Sequence, residues 1–265
     1  ENTIALGQLL PLLVADTNSW DEARGLLPQL QKDAPTLAAV LELKMDSSNP
    51  ATGAFHPDTG DLARSIQLVS SYPDTVAPRH LAWTMHSIAG DHETALRIAR
   101  EAMISLPSDP NPALWGHESA VNLREWDTAL DLAVMSRDKS PAGRRIEQDM
   151  RIAELCLSMG RYGIALDAML PYEEMISDDE LIYAQLPTER RMKGEDSRLV
   201  NAFRELFLRV LLLSGRIDDA EKNFMPLLES DQALLNLWTS SIPGMDPSIG
   251  RDALVRVAPL LSQTP

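Results

Sequence analysis

Cysteine is nearly absent: Cys156 stands alone in 265 residues. One thiol excludes an intramolecular disulfide and a cysteine metal cluster. It lies in the apolar helical stretch RIAELCLSMG, where a buried structural thiol is expected rather than a nucleophile. Period-2 alternation of β-branched residues is missing, which predicts essentially no strand. Long apolar runs are missing too. The most apolar one, Leu206 to Leu213, is broken by Arg209 and is too short to cross a bilayer, so no membrane insertion is expected. Basic residues are scarce, 24 against 39 acidic ones, giving a formal net charge of −15. Nucleic acid and anionic membranes are bound by basic faces, so neither is an expected partner; a basic or neutral protein or peptide is.

Signatures of chemistry are also missing. The five histidines, His56, His80, His86, His92 and His117, form no i,i+4 pair, and there is no HExxH motif to hold zinc. His86 and His117 fall on apolar positions, where packed, hydrogen-bonded rings are expected. Ser119 in GHESA lacks the flanking residues of a nucleophile elbow. No phosphate-binding glycine loop occurs. HPDTGD at 56–61 and SDDE at 177–180 lack the alternating ligand spacing of a calcium loop, and Asp61 reads as a helix cap. The expectation is therefore a protein with no catalytic, cofactor-binding or metal-binding residues. The single cysteine fits a reducing compartment, so a soluble, cytoplasmic protein is expected, with the compartment itself left open. Glu1 begins directly in a helical pattern, without an initiator methionine or signal peptide, which suggests a processed form or a piece of something longer.

What is present is a period. Ala95 and Ala129 stand 34 residues apart, as do Pro107 and Pro141. Each unit runs as an apolar helix, a short polar turn, a second helix with small residues on one face, then proline. WDEA at 20–23 returns as WDTA at 126–129, and Pro35 falls where Pro107 and Pro141 fall. Residues 144–172 give another copy, with Gly160 at the turn and Ala165 at the position of Ala129. The next match, Ala220 in GRIDDAEKNF, comes 55 residues later, one repeat plus an excess of 21. That excess lies in 173–197, read as a long loop with one short helix near 178–186. Residues 47–60, SSNPATGAFHPDTG, are a second insertion, rich in loop formers. Near the start, Pro11 predicts a kink or boundary, and Asn18 or Ser19 a cap for the second helix.

A 34-residue helix–turn–helix period resembles the tetratricopeptide repeat (TPR) family in a degenerate form. The resemblance covers about 200 residues of the chain. It implies an all-α, right-handed α-α superhelix, a TPR-like solenoid of six to seven helix pairs. The expected units are 3–35, 36–73, 77–107, 110–141, 144–172, 198–230 and 231–262, in one array over 1–265 with insertions at 47–60 and 173–197. In such a repeat, small residues lie where the two helices of a pair cross; Ala23, Ala95, Ala129, Ala165 and Ala220 match that position. Gly90, Gly160 and Gly215 match the helix-ending turn. Trp20, Trp126 and Tyr162 match an aromatic that packs between neighbouring pairs. Trp83 and His117 depart from the pattern: the family carries a small residue there, as at Ala153, so less regular packing is expected.

The family binds extended peptides along the face of the first helices. Carried over, that groove comprises His80, Thr84, Asn111, Glu118, Asn122, Glu147, Arg151 and Glu154, a mildly acidic surface. A carboxylate clamp is not indicated: Asn111, Asn122 and Arg151 are present, but no lysine joins them. Trp115 and Trp238 lie outside the repeated turn, and core packing is expected for both. The function so implied is a non-enzymatic protein- or peptide-binding scaffold. Two alternatives remain: an α/α-toroid enzyme acting on carbohydrate, for which 5% aromatics and no evident carboxylate pair are thin support; and a self-associating repeat protein whose groove takes its own tail, ALVRVAPLLSQTP. Oligomeric state is open.

Overall fold

The helical periodicity is realised as fifteen α-helices among residues 2–185 and 196–262, the part of the chain that the computed structural model describes. They are α1 (Asn2–Ala15), α2 (Trp20–Asp33), α3 (Pro35–Asp46), α4 (Thr59–Ser71), α5 (Val76–Ile88), α6 (His92–Ser105), α7 (Asn111–Asn122), α8 (Trp126–Lys139), α9 (Arg145–Ser158), α10 (Tyr162–Met169), α11 (Asp179–Gln185), α12 (Asp196–Leu213), α13 (Ile217–Leu228), α14 (Gln232–Ser241) and α15 (Pro247–Leu261). No strand occurs among the described residues; the one extended pairing is an isolated bridge between Ser48 and Phe55 in the first insertion. The protein is all-α. The short helix expected near 178–186 is α11, and the rest of that insertion, 186–195, lies outside the described residues.

The chain forms two compact units, Glu1–Leu132 and Ala133–Pro265, with α8 running from one into the other. In the first, α1 packs on α2 and α3, α3 on α4 and α5, α5 on α6, and α6 on α7. Its core begins with Leu10, Val14, Trp20, Ala23, Leu30 and Met45 and continues through Val40, Leu43, Leu81 and Met85. In the second, α9 packs on α10 and α12, and α12 on α13 and α14, while α15 covers α13. The apolar helix α12 buries Phe203, Phe207, Leu208, Val210, Leu211 and Leu212 there. Trp238 is fully buried and its indole N–H donates to Ala253 O at 2.9 Å.

Four turns share one geometry. Gly90, Gly160 and Gly215 have φ of +79°, +69° and +75°. Beyond each, a backbone N–H returns to the helix: Asp91 to His86 O, Arg161 to Cys156 O, Arg216 to Leu211 O, at 2.8–2.9 Å. This is the closing bond of a helix end that needs a left-handed residue. The fourth turn makes the same bond, Glu125 N to Ala120 O at 2.9 Å, but its left-handed residue is Arg124 at φ +61°. Five residues after each left-handed position an alanine is fully buried: Ala95, Ala129, Ala165 and Ala220, with Ala23 equally buried in α2. At such crossings a longer side chain would hold the helix axes apart.

Some local expectations are corrected. Pro11 neither ends nor starts a helix, since α1 runs through it. Neither Asn18 nor Ser19 caps α2 with its side chain; Asp16 accepts Asn18 N–H and the Ser19 hydroxyl and so shapes the turn before α2. Asp58, not Asp61, is the cap of α4. The two form a reciprocal box in which Asp58 takes the Asp61 N–H at 2.8 Å and Asp61 takes the Asp58 N–H. Of the aromatics expected between pairs, Trp20 is buried, Tyr162 is half-buried, and Trp126 stays 40% exposed.

Candidate functional site

The residues that the family resemblance marks as a groove fall into two groups, one in each unit. His80 and Thr84 are one turn apart on α5, and Asn111, Glu118 and Asn122 follow one face of α7. Glu147, Arg151 and Glu154 share one face of α9 in the second unit. His80, Asn122 and Glu154 are exposed, and the other five are half-buried.

On the first unit the polar side chains are tied locally. The Thr84 hydroxyl donates to His80 O at 2.8 Å, Asn111 donates from its backbone and its amide to Asp109 Oδ1, and Asn122 donates to Glu118 O. Between α5 and α7 lie two rings that the family resemblance does not mark as groove residues. Trp83 and Trp115 stack at 5.7 Å with 17° between their planes, and His80 lies against both at 5.8 and 5.1 Å. The Trp83 indole N–H donates to Ser119 Oγ at 3.0 Å, and that hydroxyl donates to Trp115 O. Ser119 is thereby fully engaged in joining α5 to α7. Although the residue is exposed, partial desolvation of the imidazole against the two indoles, together with Lys44, pushes the His80 pKa down, with Glu118 opposing. The shift favours the neutral ring. The departure of Trp83 from the small-residue pattern was the available clue to this stack.

His117, the other departure, is buried and its Nδ1–H donates to Ala129 O at 3.0 Å, so the ring bonds from α7 to α8. Gly116 beside it lets α7 approach its neighbours: a Cβ there would meet Leu132 Cδ1 at 3.1 Å and Ala99 Cβ at 3.5 Å. His86 is buried too, its Nδ1–H donating to Asp91 Oδ2 at 2.8 Å. Burial alone would raise the Asp91 carboxyl, but hydrogen bonds from His86 and Thr94 bring it below its ordinary value. With His86 Nε2 also buried, this pair fixes the turn and the start of α6 rather than facing a substrate.

On the second unit, Glu147, Arg151 and Glu154 line a cleft of about 280 Å³ whose apolar walls include Met150, Ile182 and Phe203. It lies along α9 and α12, with Ile182 contributed by α11. The family resemblance marked the three polar residues; Ile182, Leu199 and Phe203 on the apolar side come from helices distant in the chain. A separate, polar cleft of about 630 Å³ opens beside the first insertion. There Arg24 and Arg64 both reach Asp46, at 3.2 and 3.1 Å, and tie α2 and α4 to the end of α3.

Among the described residues no group of histidine, cysteine, aspartate or glutamate side chains is arranged to hold a metal ion. No described helix is long and apolar enough to cross a membrane. Cys156 is buried, and burial pushes its thiol pKa up, partly offset by Arg161. Comparison of the chain with protein-family models gives no match, and comparison with curated protein sequences gives none.

Proposed function

We propose that this chain is a non-enzymatic binding scaffold: a degenerate TPR-like array of helix pairs whose first helices hold a protein or peptide segment. The observation that carries the reading is the cleft along α9. Three residues that the family resemblance marks for the groove or beside it, Glu147, Arg151 and Glu154, line it together with apolar side chains of α9, α11 and α12. An apolar wall with a polar rim is the composition of a site that seats a side chain and orients a backbone. The packing of α1 on α3 and of α3 on α5 supports the same arrangement of first helices in the other unit. The mechanism is preorganisation: helices already held by their cores present these side chains with little ordering cost on binding. A basic or neutral segment suits the acidic rim and the net charge of −15.

The test is affinity capture with the whole chain, followed by direct titration of whatever peptide segment is recovered. Met150→Glu places a charge on the cleft wall, and Glu118, Glu147 and Glu154 changed together to Ala remove the acidic positions. Either variant should weaken binding by tenfold or more, about 1.4 kcal/mol, with the helical circular dichroism unchanged. Equal affinity in the parent and both variants would reject the first-helix surface as the binding face.

A further inference from the structure

We propose that the cleft along α9 is the seat for one aromatic side chain of the bound segment, carried next to a basic residue. This rests on the peptide-binding reading and names the chemistry that its second-unit site takes. Size limits the occupant first. The cleft holds about 280 Å³. An apolar cavity of about 150 Å³ already takes up benzene, whereas sites for whole small molecules run from about 300 to 1,000 Å³. The space therefore suits a single ring system and the carbon that tethers it. Ala202 keeps that space open. It shares one face of α12 with Leu199 and Phe203, and it offers the cleft only a methyl group.

The walls favour a ring over an aliphatic chain. Phe203 is 1% exposed and meets Tyr172 edge-on at 6.5 Å and Phe207 at 5.9 Å, so its ring is fixed in an aromatic cluster. A ring in the cleft extends that cluster, and aromatic pairs gain more than their buried area alone supplies. Met150 on α9 lines the same space, and a thioether makes favourable contacts with ring edges. Ile146 and Ile182 add buried aliphatic surface. Charge then selects the neighbour of the ring. Glu154 lies one turn beyond Met150 on α9, is exposed, and its carboxylate makes no hydrogen bond or ion pair among the described residues. Glu147 and Arg151 are engaged in contacts of their own. An acidic segment is repelled by Glu154 and by the net charge of −15, whereas a basic residue beside the ring meets an open carboxylate at the rim.

The experiment uses the full chain with ¹³C-labelled methionine and isoleucine methyl groups, reading the Met150 and Ile182 resonances. The probes are blocked Gly-Ser heptapeptides whose central pair is Trp-Lys, Phe-Lys, Leu-Lys, Ala-Lys or Trp-Glu. The Trp-Lys and Phe-Lys peptides should move both resonances saturably, by the ring current of the bound side chain. They should bind about fivefold more tightly than Leu-Lys, as an added aromatic contact implies, and more tightly still than Ala-Lys. Trp-Glu should bind more weakly than Trp-Lys, and Glu154→Gln should remove that difference. Ala202→Phe places a ring of the chain's own in the cleft; position 202 is exposed, so helical circular dichroism should be unchanged while Trp-Lys binding is lost. Leu-Lys binding as tightly as Trp-Lys, or Trp-Lys binding that survives Ala202→Phe, overturns the aromatic seat and leaves the scaffold reading standing. A preference for Trp-Lys over Trp-Glu that survives Glu154→Gln overturns the assignment of the basic neighbour. If no peptide moves the two resonances, the aromatic seat is overturned; the scaffold reading is then decided by the segment recovered in affinity capture and its titration against Met150→Glu.

Discussion

One residue is held in a conformation that its repeat counterparts reach more cheaply. Arg124 takes φ +61° at the turn where Gly90, Gly160 and Gly215 serve elsewhere. A non-glycine residue pays about 1–2 kcal/mol there, and glycine returns part of that through its freer unfolded chain. Arg124→Gly should therefore stabilise the fold by about 0.5–1 kcal/mol. The reverse substitution isolates the same quantity. A Cβ at Gly90 meets nothing within 4 Å, so Gly90→Ala adds backbone strain without a clash and should cost about 1 kcal/mol. Urea midpoints at unchanged slope measure both. A loss of stability in Arg124→Gly would mean that the arginine side chain supplies more than the turn costs.

At the scale of elements, the second unit is tied by a polar link as well as by its core. Asp149 is buried on α9, accepts the Tyr172 hydroxyl at 2.6 Å, and pairs with Arg137 near the end of α8 at 3.5 Å. Burial raises the Tyr172 pKa, and the hydrogen bond and charge of Asp149 raise it further. The folded chain thus holds that proton more tightly than the unfolded chain, whose tyrosine titrates near ~10. The stabilisation is complete below that pH and is lost as pH rises from there through the raised pKa of the folded chain. Tyr172→Phe should cost about 1.5–3 kcal/mol at neutral pH, because it takes from a buried carboxylate its hydroxyl donor and leaves only Arg137 beside it. The loss should shrink above pH ~10, read as the difference between parent and variant in alkaline urea melts. This link spans 23 residues and was invisible in sequence, where Asp149 looks like one more charge on a helix. What sequence did disclose was local. The apolar period located the helices, glycines marked three of the four left-handed turns that end a helix with a returning backbone bond, and recurring alanines marked fully buried positions. The caps at Asp16 and Asp58 were missed because several polar residues precede each helix and only backbone geometry selects one. The aromatic stack was missed because α5 and α7 meet only after α6 is placed.

For the whole molecule, two uses of charge have opposite responses to salt. Ion pairs are numerous but mostly at the surface, such as Arg97–Glu101 and Arg137–Asp138. Exposed pairs of this kind are worth about 0–1 kcal/mol each and weaken in salt. Against them stands a net charge of −15, and with it an excess of like charges that repel in the folded state. Some of that repulsion is relieved locally: Arg256 on α15 is shared by Asp218, Glu221 and Asp252, three carboxylates on one cation. The surplus remains elsewhere, and screening reduces it once the Debye length falls from about 30 Å at 0.01 M to a few ångströms near 1 M. The thermal midpoint should therefore rise by several degrees as sodium chloride is raised over that range. A falling midpoint would show that the ion pairs outweigh the repulsion. On the proposed scaffold reading, binding should move the other way, because a basic segment approaching an acidic rim loses its attraction as salt screens it. Measured on one sample, a rising midpoint with a weakening affinity would separate the role of acidity in recognition from its cost to the fold. A midpoint and an affinity that rise together would point to an apolar contact as the main source of binding.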